Sequence, residues 1–147
     1  MKSSGKRLVS LLLAVCMCSS LFCTFASAVD ARSSDYLDSY VCSVTPKSGG
    51  EIVVSASVHA VVNATMIGAS DIYLYESSDN LHFTCIEHFN YEDYPNMMGS
   101  GRHFNDDVIC YDGTVGKYYY ARVYVYAGNS TGYDSKVYET SVRQAIS

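Results

Sequence analysis

Ten residues near the C-terminal end, Tyr118-Tyr119-Tyr120-Ala121-Arg122-Val123-Tyr124-Val125-Tyr126-Ala127, constrain this chain more than any other stretch. Tyr119, Ala121, Val123, Val125 and Ala127 form one row and Tyr118, Tyr120, Arg122, Tyr124 and Tyr126 the other. Successive side chains of a strand point to opposite faces, so this period of two predicts a half-buried β-strand, with the small apolar row packed and the tyrosine row turned outward. At helical spacing the two rows would mix on one face.

The same period recurs upstream. Tyr36, Tyr40, Cys42 and Val44 alternate up to the turn residues Pro46, Gly49 and Gly50. From Glu51, one row carries Ile52, Val54, Ala56, Val58 and Ala60, and the other Val53, Ser55, Ser57, His59 and Val61. Asn63 to Ser70, interrupted by Gly68, reads as a link to a third strand with Ile72 and Leu74 on one side and Tyr73 and Tyr75 on the other. Ser77-Ser78-Asp79-Asn80 is a turn before the β-type run Phe83–Phe89, and residues 91–101, with Pro95, Gly99 and Gly101, form the longest irregular segment. Residues 103–111, the tyrosine strand and 135–142 complete about seven strands, with turn signals at the spacing of an antiparallel β-sandwich.

Lys2, Lys6 and Arg7, the apolar stretch Leu8–Phe25 and the small-x-small site Ala26-Ser27-Ala28 predict a cleaved secretory signal over residues 1–28. A short polar leader (29–34) and one domain (35–147) follow, and the localisation expected is extracellular, with no membrane contact after cleavage. The three residues before Cys16, Cys18 and Cys23 are Val15, Met17 and Phe22, none of them the small residue a lipid-modified cysteine needs. All fifteen acidic but only seven of the ten basic residues lie beyond position 28, so the secreted part carries about eight net negative charges. Such a chain has no pull toward nucleic acid, because each phosphate contact needs a Lys or Arg. Cys42, Cys85 and Cys110 remain in an oxidising compartment. They allow one pair and one spare thiol, or three reduced thiols; Cys85 with Cys110 is favoured because both fall in middle strands.

The stretch Gly116–Gly132, with a tyrosine opening an alternating strand and a Gly/Asn-rich turn closing it, resembles the last hairpin of fibronectin type III and related immunoglobulin-like domains. The resemblance implies that the fold is an immunoglobulin-like sandwich and that Tyr119 is the tyrosine-corner residue whose hydroxyl bonds back to the backbone. The absence of tryptophan departs from that pattern. Ile67-Gly68-Ala69-Ser70, Met97-Met98-Gly99-Ser100 and Tyr126-Ala127-Gly128-Asn129 are also similar to segments of a group of small secreted proteins of Gram-positive bacteria; this likeness implies a bacterial source and no site.

Reaction chemistry is sparse. Four histidines (His59, His82, His88, His103) are present, but no Gly-x-Ser-x-Gly elbow accompanies them. His82, Glu87, His88, Asp106 and Asp107 have no metal-ligand spacing, and Glu92 and Asp93 with Asp106 and Asp107 do not form a calcium loop. No cofactor and no metal are expected. The tyrosine row is the better candidate: Tyr73, Tyr75, Tyr118, Tyr120, Arg122, Tyr124 and Tyr126 would share one outer face able to bury against a protein or stack a carbohydrate. Cross-strand rings that only stabilise the sheet are the competing explanation. The function expected is a secreted, non-catalytic interaction module, of oligomeric state the sequence leaves open. The alternatives are a small secreted hydrolase using histidines near the 91–101 loop, and a structural or effector protein that assembles with copies of itself.

Overall fold

The computed structural model describes residues 34–147. The expected signal segment, 1–28, and residues 29–33 of the leader lie outside the described residues. The described chain is all-β, with β1 (Leu37–Pro46), β2 (Glu51–Ser77), β3 (Thr84–Asn90), β4 (Met98–Asp112), β5 (Tyr118–Asn129), β6 (Gly132–Glu139) and β7 (Arg143–Gln144), and single 3-10 turns at Ser48–Gly50 and Pro95–Met97. All seven strands join one antiparallel sheet.

The organising element is β2, 27 residues long. Its first half runs between β1 and β4; its second half runs between β5 and β3, and β6 and β7 pair with β5. The buried row along β2 is Ile52, Val54, Ala56, Val58, Ala60, Ala64, then Ile67 and Ala69, then Ile72 and Leu74. Twice, from 64 to 67 and from 69 to 72, the row steps by three residues instead of two, and at each step the pairing register shifts. One extra residue turns the following side chains to the other face and bends the strand. These bends curl the sheet so that both halves of β2 contribute to one core, together with Leu37 and Val44 of β1, Val108 and Ile109 of β4 and the inner row of β5. Each fully buried Ile, Val or Leu contributes about 1.5–3 kcal/mol.

The segment 63–70 is therefore strand rather than the expected link. Its polar and glycine content marks a bend, because bulged positions leave the regular ladder without ending it. The segment 91–101 is also shorter as an irregular loop than expected, since Met98–Gly101 already belongs to β4 and pairs with Ala64–Gly68. The start of β1 is fastened to the β5–β6 hairpin. The Asp134 carboxylate accepts from the Ser34 hydroxyl at 2.5 Å and the Tyr36 amide at 2.8 Å, and the Tyr36 and Thr131 hydroxyls share a 2.9 Å hydrogen bond. Hydrogen bonds from Ser34 and the Tyr36 amide hold Asp134 below the usual carboxylate range against the effect of burial.

Candidate interaction face

The inner row of β5 is closed to solvent: Tyr119, Ala121, Val123, Val125 and Ala127 are all 0% exposed. Between them Tyr118, Tyr120, Arg122, Tyr124 and Tyr126 are half-buried. The register places Tyr75 opposite Tyr120, Tyr73 opposite Arg122 and Asp71 opposite Tyr124, so the tyrosines of β2 and β5 share one outer face. Tyr118 lies at one end, opposite Ser77 and Gln144.

Most of these rings are engaged with one another. Tyr75 and Tyr120 stack with centroids 4.7 Å apart and planes 3° from parallel, and Phe83 meets Tyr120 edge-on at 5.0 Å. Tyr73 stacks on His88 at 4.2 Å and meets Tyr124 edge-on at 5.8 Å, while Tyr126 stacks on Tyr133 at 5.3 Å. The Arg122 guanidinium lies 5.6 Å from the Tyr75 centroid and donates to Glu139 at 3.0 Å. His88 and Asp71 pair at 3.0 Å. Charges on the face are thus matched in pairs.

Burial, followed by the neighbouring Glu139 and Tyr75, raises the Tyr120 phenol above its ordinary value, and burial with Tyr133 and Tyr91 does the same for Tyr126. Burial and then Asp71 raise Tyr73. The hydroxyls therefore stay neutral near pH 7, each able to donate and accept. Phe83, His88, Tyr133 and Glu139 belong to the face although the sequence reading missed them. Their membership depends on which strands lie beside β2 and β5, and period alone does not report that.

The cysteines do not come together as expected. Cys85 is an exposed thiol on β3, beside the second half of β2, and Cys110 is an exposed thiol on β4, opposite Val53 in the first half. The predicted Cys85–Cys110 pair is not made, because the two strands flank different halves of the bent β2. Cys42 is free and buried, and burial pushes its thiol up to about 12, leaving it an inert core residue.

The histidines are likewise separated. His82 pairs with Asp79 in the β2–β3 turn, His88 with Asp71 on the tyrosine face, and His59 with His103 across β2 and β4. Asp79 also accepts the backbone amides of His82 and Leu81, and these bonds hold it far below the usual carboxylate range. Among the described residues, these histidine side-chain hydrogen bonds go to carboxylates or to another imidazole. No group of three or more His, Cys, Asp or Glu suited to a metal ion occurs among them. No family model matches the chain, and no curated protein or solved structure matches it either.

Proposed function

We propose that this chain is a secreted, non-catalytic interaction module of immunoglobulin-like, fibronectin type III-like sandwich architecture that docks a protein partner on its tyrosine face. Strand pairing supports the architecture. β1, the first half of β2 and β4 pair as A, B and E do in such domains, and the second half of β2, β5 and β6 pair as C, F and G, with β3 beside C. Here B and C are one bent strand. Tyr119, at the start of the F-like strand, receives the Thr114 amide at 2.8 Å, in keeping with a tyrosine corner.

The observation that carries the binding reading is a contiguous patch of half-exposed tyrosines around a paired arginine, on a chain with an excess of acidic residues. Interface centres are enriched in Tyr and Arg and depleted of net charge. Ring orientation favours protein over carbohydrate. A sugar stacks on a free ring face, but Tyr73, Tyr75 and Tyr120 each have two neighbours packed on or around the ring, which leaves fewer faces free for stacking. Tyrosines whose faces are already packed still suit the mixed apolar and polar contacts of a protein surface.

Replacing Tyr120, Tyr124 and Tyr126 together with serine is expected to abolish capture of a cell-surface protein by the immobilised chain, with the far-ultraviolet dichroism retained. Capture of the same protein at wild-type yield by the folded triple variant would refute the docking role. A glycan array bound by wild type and not by the variant would replace protein by carbohydrate as the ligand.

A further inference from the structure

The half of the sheet that carries no tyrosine face holds a second unusual pair. His59 of β2 and His103 of β4 stand directly opposite each other in the antiparallel register. Their Nδ1 atoms are 3.2 Å apart, with the rings edge-to-face and centroids 4.5 Å apart. We propose that these two imidazoles are a clamp for one late divalent transition-metal ion, copper(II), nickel(II) or zinc(II).

The spacing carries the argument. Two imidazole nitrogens each ~2.0–2.1 Å from one ion are about 3.3–3.4 Å apart at a tetrahedral angle and about 2.9 Å apart at a right angle. The observed separation falls between the two. Without metal, one ring donates its Nδ1–H to the other; on binding, that ring takes the Nε2–H tautomer, so that two neutral imidazoles each offer an Nδ1 lone pair to the ion. The regular ladder on one side of the pair, with Val58 opposite Phe104, holds the two backbones at this spacing, so a ring rotation suffices to aim both nitrogens at one ion.

The surroundings admit an ion. Both imidazoles are reachable from solvent, and an open depression of about 170 Å³, lined by Ser39, Tyr40, Val41, Ser57 and His59, flanks His59 on its β1 side. The Arg102 guanidinium, nearest in sequence, reaches the Ala60 carbonyl at 3.5 Å. The acidic chain as a whole attracts cations. His82 and His88 each face a single carboxylate and have no second imidazole. With two protein nitrogens the ion keeps open positions, and copper(II) binds more tightly than nickel(II) or zinc(II). This departs from the expectation that the chain holds no metal.

Calorimetric titration of the protein with copper(II) and with zinc(II) tests the proposal. One ion per chain is expected. His59→Ala and His103→Ala should each weaken binding by at least about tenfold, since even groups behind a ligand are worth about 10–100-fold. His82→Ala and His88→Ala should bind as wild type. On the unmutated protein, copper(II) should broaden the ring proton resonances of His59 and His103 before those of His82 and His88. Absence of binding, binding that survives loss of either His59 or His103, or first broadening at His82 or His88 would overturn the assignment.

Discussion

Replacing Gly68 by alanine is expected to lower the free energy of unfolding by about 3–5 kcal/mol, the sum of backbone strain and overpacking. Gly68 has φ +145°, which side chains rarely adopt, and a Cβ there would come within 2.3 Å of the Met97 carbonyl oxygen and 3.1 Å of the Met98 Cα. Both obstacles are backbone, so relief requires the Pro95–Met97 turn and the start of β4 to move away from β2. That movement would open the bend through which the two halves of the sheet share a core. Denaturant unfolding measures the loss, and an unchanged midpoint would show that the bend is not held by this close approach. Gly49, also at positive φ but with nothing near its Cβ position, is the control: Gly49→Ala should cost only the strain component.

Removing the Tyr119 hydroxyl is expected to cost about 2–4 kcal/mol, because two partners lose it at once. The hydroxyl receives the Thr114 amide and donates to the Glu76 carboxylate at 2.6 Å, and that carboxylate also takes the Lys117 ammonium at 2.5 Å. The network ties the β4–β5 connection to the end of β2, with the Glu76 side chain only 19% exposed. Tyr119→Phe keeps the buried ring and isolates the hydrogen bonds. Burial alone would raise the Glu76 carboxyl, but the bonds from Lys117 and Tyr119 outweigh it and lower the titration point. Because the folded value lies below the unfolded one, this contribution is fully present above the unfolded value and is lost as pH falls through the folded one. Acid unfolding of wild type should therefore show a loss of stability below about pH 4.3 that is smaller in Glu76→Gln, where Asp79 and Asp134 still titrate. Equal acid sensitivity in that variant would place the titrating group elsewhere.

The strand face of Tyr118–Ala127 was legible because nothing in it conflicts: period, residue size and the glycine-rich turn after it all agree. The rows of 51–61 and 72–75 were read correctly for the same reason. What joined them was not legible. Ala64, Ile67 and Ala69 belong to no fixed period once two extra residues are inserted, so a bent strand reads as a polar link. Partners were also hidden. Tyr73 and Tyr75 could be placed beside β5 by analogy with a sandwich, but Phe83, His88 and Glu139 joined the face through pairing register, and His59 met His103 through contacts between residues 44 apart in the chain. Cys85 and Cys110 were assigned to each other as middle-strand residues; the bend in β2 sends their strands to different halves.

The proposed function depends on the division of β5 into a dry row and a wet row. Hydroxyl-radical footprinting of the folded protein, resolved residue by residue, tests it directly. Tyr120, Tyr124 and Tyr126 should be modified while Tyr119, Val123 and Val125 are protected, and all should react once the chain is unfolded. Modification of Tyr119 as fast as Tyr120 and Tyr124 in the folded protein, or protection of the whole outer row, would contradict the proposed face.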